Sequence, residues 1–233
     1  MKRILKIIGS LLGFFLLIGI IGGGLAHEPL PLGNPGSGAD ALAHKMLDAL
    51  DHEKYEDTRI LQWSYRGGAN SYKWDRKQGL CLVKWDDNEI VLNLANPTKS
   101  DVKVDGVPTS QKEKEELIQK AVKMFNNDSF WLVAPYKVFD KGTQRAVVKM
   151  ENGSQGLLVT YNSGGSTPGD SYLWLLKEDG LPYAFKMWVK IIPIGGLEAS
   201  WDDWLVTESG AYLPKTHQFG PLSLSMGNVK GFK

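Results

Sequence analysis

Apolar residues first recur at helical spacing shortly after residue 36. Leu42, Met46 and Leu50 fall on one face of a helix, with polar residues between them. Residues 37–40 begin with serine and end with aspartate, which is the spacing of a capping box at a helix start. The pattern predicts one amphipathic helix that ends near Glu53.

The period of the apolar pattern then changes to two. Leu61, Trp63 and Tyr65 alternate with polar side chains, and so do Tyr72 and Trp74. Such alternation is typical of strands with one buried face. Turns rich in glycine, asparagine and aspartate follow at short intervals and predict antiparallel hairpins. Further strands are predicted over residues 80–85, 90–94, 145–150, 156–161, 172–176, 183–191, 197–206, 212–218 and 222–226.

A second helix is predicted between the two runs of strands. Ser110 and Glu113 provide cap chemistry at its start, and the run Asn126-Asn127-Asp128 is expected to end it. Its apolar side is formed by Leu117, Ala121, Val122 and Phe125. A helix inserted between strand runs is expected to cover part of the sheet.

These elements predict a mainly β (α+β) fold. We expect a curved antiparallel sheet or incomplete barrel of about 10–11 strands with two covering helices. The sequence contains no parallel crossover unit, so a doubly wound sheet is not expected. Residues 27–38 are rich in proline and glycine and are interpreted as a flexible linker, which leaves residues 39–233 as a single domain.

The N-terminus carries an export pattern. Lys2, Arg3 and Lys6 precede an apolar stretch from Ile7 to Ala26, which is typical of a signal peptide. The small residues near Ala26 favour cleavage before the next residue. The same stretch is also long enough to cross a bilayer, so an uncleaved anchor is the alternative. Either outcome predicts a periplasmic or cell-envelope protein, held at the inner membrane if the segment is retained.

The charge balance and the single cysteine argue against several further functional classes of protein. The 27 basic residues include the three at the N-terminus, so the remaining chain has 24 basic against 26 acidic side chains. This slightly acidic balance does not favour nucleic-acid binding. Cys81 is the sole cysteine and lies far from the export segment. It therefore forms no intramolecular disulfide, is not a lipid-bearing residue, and is expected to be buried.

The order of elements after the export signal resembles the Lol-type lipoprotein carriers and sensors. Four stretches also look like those of a set of uncharacterised bacterial envelope proteins, over most of residues 40–230: Phe130–Pro135, Gly165–Trp174, Lys186–Trp188 and Ile194–Glu198. The resemblance implies a half-barrel that holds lipid chains under helices. It assigns no site residue, because the set has no known activity and the carriers' lipid-contacting arginine has no matching position here.

Tryptophan is the most unusual component of the predicted strands. Indoles offer a large apolar surface and one hydrogen-bond donor, so they can line a site for an acyl chain or another apolar ligand. Packing in an ordinary sheet core is the alternative role. The candidate lining residues are Trp74, Trp85, Trp131, Trp174, Trp188, Trp201 and Trp204.

No catalytic or metal-binding motif emerges. The four histidines lack zinc-site spacing, so no metal and no cofactor are predicted. His217 with Asp202 or Asp203 and a serine could form a triad, but a structural histidine is the preferred interpretation. The two aspartates are adjacent in a strand and point to opposite faces, so they do not form an acid/base pair.

The sequence therefore predicts a non-enzymatic envelope protein that binds or carries a lipid or other hydrophobic ligand in a half-barrel concavity. The alternative is an interaction or sensor module with a filled interior that binds a protein partner. Membrane contact through the N-terminus is expected in either case if the apolar segment is retained.

Overall fold

The computed structural model describes residues 27–233, so the predicted signal peptide or anchor over 1–26 lies outside the described residues. Three α-helices occur in this part of the chain: α1 (Ser37–Ala49), α2 (His52–Asp57) and α3 (Gln111–Val133). The strands are β1 (Asn34–Pro35), β2 (Ile60–Tyr65), β3 (Asn70–Asp75), β4 (Leu80–Trp85), β5 (Asn88–Asn93), β6 (Asp101–Val104), β7 (Val107–Pro108), β8 (Thr143–Lys149), β9 (Gln155–Tyr161), β10 (Asp170–Leu176), β11 (Pro182–Trp188), β12 (Leu197–Ser200), β13 (Asp203–Val206), β14 (Tyr212–Phe219), β15 (Leu222–Ser225) and β16 (Lys230–Phe232).

The strands form two antiparallel sheets that do not close into a barrel. The seven-stranded sheet has the order β16-β2-β3-β4-β5-β6-β7. The nine-stranded sheet has the order β1-β8-β9-β10-β11-β12-β14-β13, with β15 added alongside β14. Most neighbours are consecutive hairpins, whereas the last strand, β16, returns to pair with β2. The predicted mainly β, antiparallel fold class is confirmed.

One hydrophobic core joins the two sheets to the helices. It takes the alternate side chains of the seven-stranded sheet, such as Leu61 and Val83, and those of the nine-stranded sheet, such as Leu157 and Phe185. Ile118 brings α3 into the same core. Cys81 lies within it and is fully buried, as the sequence predicts. Burial raises the pKa of its thiol, which keeps the group protonated.

The first predicted helix is divided in two. Asp51 has φ 48° and ψ 61°, in the left-handed region, and separates α1 from α2. A helix cannot continue through such a residue. The bend brings Tyr55 of α2 into the core, where its ring stacks on Tyr136 with centroids 3.9 Å apart.

The inserted helix is longer than the sequence predicts. The run Asn126-Asn127-Asp128 was expected to end it, but α3 continues to Val133. Asp128 is buried and accepts hydrogen bonds from side chains of β3, so it does not act as a helix stop. Its start does follow the prediction, because Ser110 accepts a hydrogen bond from the backbone N–H of Glu113.

Residues 27–36, within the segment predicted as a flexible linker, lie on the nine-stranded sheet; we name them the N-terminal strap. The Glu28 carboxylate pairs with Lys186 of β11 at 2.8 Å, and its carbonyl accepts from Trp188 Nε1 at 2.8 Å. Gly33 packs against Ala146 of β8, and β1 pairs with the same strand. Because β11 and β8 are three strands apart, the strap crosses the sheet.

The strap runs over a second, smaller apolar cluster on the side of this sheet that faces away from the core. Its buried members are Val148, Leu158, Leu173, Leu175 and Ala184. Leu30 and Leu32 of the strap are exposed above it, at 47% and 99% of their surface.

Among the helices of the described residues, none is long and apolar enough to cross a membrane.

Candidate functional site

The candidate lining tryptophans occupy several places in the fold. Trp85, Trp174 and Trp201 are buried in the core. Trp74, Trp131 and Trp204 are partly buried and pack against the same core, whereas Trp188 packs against the smaller apolar cluster. As ligand-lining residues they remain a prediction, and the structure does not bring all seven together.

Three of them meet at the junction of α3 with the nine-stranded sheet. The rings of Trp131 and Trp201 stack with centroids 6.3 Å apart, and Trp174 meets Trp201 edge-on at 5.0 Å. The ring centroid of Phe185 lies 5.6 Å from that of Trp131 and 5.2 Å from those of Trp174 and Trp201. This group is a packed aromatic cluster that fixes the helix against the sheet.

Two others lie on the inner face of the seven-stranded sheet. Trp74 meets Phe125 of α3 edge-on at 5.2 Å, and the Lys120 ammonium sits 4.8 Å above the Trp85 ring. Trp188 and Trp204 lie apart from both groups. The indole N–H of Trp188 donates to the Glu28 carbonyl in the strap, and that of Trp204 donates to the Pro182 carbonyl at 3.3 Å.

Several buried donors in the aromatic core have no acceptor among the described residues. They are the indole N–H groups of Trp63, Trp74, Trp85, Trp174 and Trp201, together with the Tyr161 hydroxyl. An unmet buried donor costs about 1–3 kcal/mol, so such groups are few in most proteins.

A buried polar cluster ties α3 to the seven-stranded sheet. Asp128 accepts hydrogen bonds from Asn70 at 3.0 Å, from the Tyr72 hydroxyl and from Asn127 at 2.8 Å. Burial, followed by the charge of Asp128, raises the pKa of Tyr65 to about 12. Burial, the charge of Asp128 and the hydrogen bond to it also raise the pKa of Tyr72, so the Tyr72 hydroxyl stays protonated and donates to the carboxylate.

His217 is a structural histidine. It is fully buried, with Nδ1 2.9 Å from the Ser200 carbonyl and Nε2 2.7 Å from the Trp131 carbonyl. Burial lowers its pKa below the usual value, against the opposing effects of the two carbonyls and of Asp202 and Asp203. Both ring nitrogens face backbone oxygen, so neither is placed to activate a serine.

The neighbouring aspartates Asp202 and Asp203 have different surroundings, and only Asp203 belongs to a strand, β13. Asp202 is exposed, while Asp203 accepts from Thr216 at 2.7 Å and pairs with Lys215 at 2.9 Å. These contacts lower the pKa of the Asp203 carboxyl, the Thr216 hydrogen bond most of all. Within residues 27–233, no three His, Cys, Asp or Glu side chains converge in a group that could hold a metal ion.

The face of the seven-stranded sheet that points away from the core, which we name the outer face, carries a concavity of about 380 Å³. Three lysines line it and no acidic side chain does. The lining residues are Gln62, Trp63, Ser64, Ser71, Tyr72, Lys73, Leu82, Lys84, Asn228 and Lys230. On a chain with slightly more acidic than basic residues beyond its N-terminus, this depression is locally cationic.

Strand register explains how the lysines come together. Lys230 of β16 and Lys73 of β3 both stand opposite Gln62 of β2, one on each side. Facing residues on paired strands are about 5 Å apart, so the two lysines stand on either side of Gln62 on the same face of the sheet. Lys84 is held by Glu89 at 2.6 Å. Among the ion pairs of the described residues, none involves Lys73 or Lys230.

A second concavity, of about 680 Å³, lies along the first half of α3. Its lining mixes both charge signs, with Lys114, Lys120 and Lys123 beside Glu115 and Glu116. The two glutamates offset two of the three lysines, so the lining of this groove has less net positive charge than that of the outer-face concavity. Neither concavity is lined by any of the seven candidate tryptophans.

The outer-face site was not predicted from the sequence. Lys73 and Lys84 occupy polar positions of predicted strands, where a lysine is an ordinary solvent-facing residue, and Lys230 lies beyond the last predicted strand. Their approach depends on β16, a three-residue strand near the end of the chain that pairs with β2 across more than 160 residues. Alternation reveals which face a residue takes but not which distant strand will lie beside it.

The fold defines the class of this protein as an α+β protein of two antiparallel sheets with helices packed into a shared core. Comparison of the chain with protein-family models, with curated proteins and with solved structures finds no match.

Proposed function

We propose that this protein is an exported, non-enzymatic interaction module of the cell envelope that binds an acidic segment of a partner protein on its outer face. The observation that carries the proposal is the concavity in which Lys73 and Lys230 flank Gln62 with no acidic side chain in the lining. A carboxylate above Gln62 would meet two ammonium groups and an amide donor.

The packing of the interior supports this function over the carrying of a ligand in an open concavity. Trp174 and Trp201 are completely buried, and aromatic rings fill the junction between α3 and the nine-stranded sheet. On the outer face, by contrast, no second layer of helices or strands packs among residues 27–233, and Lys73, Lys84 and Lys230 are exposed there. One face of an antiparallel sheet is often solvated, so the charge distribution, and not the exposure alone, marks this face as a binding surface.

Apolar side chains beside the lysines would add to the binding energy. Leu82 lies next to Lys73 in the same cross-strand row, and Val91 continues that row with 36% of its surface exposed. Exposed ion pairs contribute about 0.2–1 kcal/mol each, too little for a stable complex without apolar contact. We therefore expect a partner segment that combines acidic and apolar residues.

The test is the affinity of the full chain for a short glutamate-rich peptide with leucines at alternate positions, measured by biolayer interferometry. Reversal of both lysines (Lys73→Glu with Lys230→Glu) is expected to weaken binding by about tenfold or more. The matched control reverses the exposed Lys112 and Lys177, which lie on α3 and on a turn of the other sheet. Equal loss in both variants would contradict a specific site.

A second candidate function, binding of a lipid or other apolar ligand inside the aromatic core, is favoured by the buried unpaired donors. Ester or carboxylate oxygens of such a ligand would accept from the indole N–H groups of Trp74, Trp85, Trp174 and Trp201. Entry would require α3 to separate from the sheets, because these rings now pack against one another and against the helix.

Native mass spectrometry of the protein purified without detergent tests this second candidate. A stoichiometric lipid that is released on denaturation would support it, and tryptophan emission should then change when a fatty acid is added back. An empty protein whose emission does not respond to fatty acid would contradict it. Reversal of Lys73 and Lys230 is not expected to alter either result, which separates the two candidates.

A further inference from the structure

The start of the described chain is fixed to one end of the nine-stranded sheet. Gly195 N–H donates to His27 Nδ1 at 3.0 Å, and Glu28 N–H donates to the Gly195 carbonyl at 2.9 Å. Gly195 belongs to the connection over 189–196, between β11 and β12. The point where residues 1–26 join the domain is therefore held against this connection.

Exposed apolar side chains occur at the same end. Ile191 in the connection has 70% of its surface exposed. Leu222, which starts β15, has 58% exposed. Ala199 of β12 pairs with Phe219 of β14, so the turn that leads to Leu222 lies beside the connection. Large apolar residues exposed together on loop tips are typical of surfaces that contact a partner or a membrane.

Polar contacts of Lys190 hold the connection against the start of β10 and the adjacent β9–β10 loop. The backbone N–H of Lys190 donates to Asp170 Oδ1 at 2.9 Å, and the Lys190 ammonium donates to the Pro168 carbonyl in the adjacent β9–β10 loop. Lys190 is itself exposed next to Ile191. An apolar tip with a neighbouring cation suits an anionic lipid surface, which attracts lysines that lie close to it.

We infer that this end of the nine-stranded sheet, with Ile191 and Leu222, rests on a phospholipid bilayer in which the segment Ile7–Ala26 is retained as an anchor. The occupant is a lipid surface and not a protein, because the chain that enters at His27 is apolar for 20 residues, the length needed to cross the hydrocarbon core. The inference does not depend on what binds the outer face.

The test uses the full chain in vesicles of three parts phosphatidylcholine to one part phosphatidylglycerol. Ile191→Cys and Leu222→Cys are labelled singly with an environment-sensitive fluorophore, and lipids with a nitroxide near the headgroup serve as quencher. The buried thiol of Cys81 stays unlabelled in the folded protein. Val206→Cys is the matched control: it is 55% exposed but lies beside the turn at the opposite end of the sheet, roughly 20 Å away by strand length.

We expect the labels at 191 and 222 to shift to the blue and to lose most of their emission to the nitroxide lipids, while the label at 206 changes little. A domain that hangs free on its anchor would give the same weak quenching at all three positions, which would overturn the inference. Recovery of the exported protein in the aqueous fraction with residues 1–26 removed would overturn it as well.

Discussion

His217 links the aromatic cluster of α3 to the nine-stranded sheet through two backbone carbonyls. One belongs to Trp131 on the helix and the other to Ser200 at the end of β12. Since the ring is fully buried, its removal would leave a cavity, and the carbonyl that accepts from the N–H of the neutral ring would lose its donor. We expect His217→Ala to lower the free energy of unfolding by about 3 kcal/mol, measured by urea denaturation.

The same residue makes stability depend on pH in a defined direction. The pKa of His217 is lowered on folding from its usual value of 6.5, so the folded state binds fewer protons than the unfolded state. Its contribution to stability is complete above that value and is lost as the pH falls below it towards the folded pKa. The urea concentration at the midpoint of unfolding should therefore decrease as the pH is lowered from about 7.5 to about 5.5. The decrease should be smaller in His217→Gln. Equal falls in the two proteins would contradict this assignment.

Asp128 is the residue that joins α3 to the seven-stranded sheet. Asp128→Ala would leave the buried donors of Asn70 and Tyr72 without an acceptor, and we expect it to cost about 3 kcal/mol of unfolding free energy. Asp48→Ala is the matched control, because Asp48 is an exposed helical aspartate. A loss in the control similar to that in Asp128→Ala would show that helix propensity, and not the buried cluster, explains the result.

For the tryptophans, the sequence predicts burial more reliably than it predicts what the buried side chain contacts. Tryptophans at alternate strand positions indicate buried faces, and Trp63, Trp174 and Trp201 are buried. Sequence periodicity carries no information about whether a buried face meets a helix or a ligand. In this fold α3 supplies Phe125 and Trp131 to cover those faces, a contact between elements far apart in sequence.

At the scale of elements, the N-terminal strap differs most from its sequence-based interpretation. Proline and glycine suggested a flexible linker, whereas Glu28 and Gly33 hold the strap to β11 and β8. A Cβ at Gly33 would lie 2.6 Å from the Ala146 Cβ, so only glycine lets the backbone approach the strand this closely.

We expect Gly33→Val to displace the strap and to lower the free energy of unfolding by about 1–2 kcal/mol. Limited proteolysis should then cut within residues 27–36 faster than in the unaltered protein. Gly38→Ala provides the control, since a Cβ there meets nothing within 4 Å and the residue lies in α1. Unchanged proteolysis in Gly33→Val would show that the strap does not depend on this contact.

The strand pattern was predicted well where hairpins are local and less well where pairing changes. Strands β2–β5 agree with the alternating pattern to within a residue or two at each end. The predicted strand over 197–206 is two strands, because β12 lies between β11 and β14 whereas β13 pairs with the other side of β14. Such a change of partner is a tertiary effect that local periodicity does not reveal.

At the scale of the whole molecule, the antiparallel class follows from short hairpins, but the division into two sheets does not. The segment between the end of β7 at Pro108 and the start of β8 at Thr143 contains α3 and carries the chain from one sheet to the other. The result is one core with two external sheet faces. The N-terminal strap lies on one of them, and the cationic concavity occupies the other.

Photo-crosslinking in an exporting bacterial host tests the outer-face proposal most directly. A photoreactive residue at Ser71 lies in the lining of the concavity, while one at the exposed Tyr183 reports on the other sheet. We predict one acidic partner crosslinked at position 71, absent at position 183, and lost when Lys73 and Lys230 are both changed to glutamate. A partner that survives this charge reversal, or that crosslinks equally at both positions, would contradict the proposal.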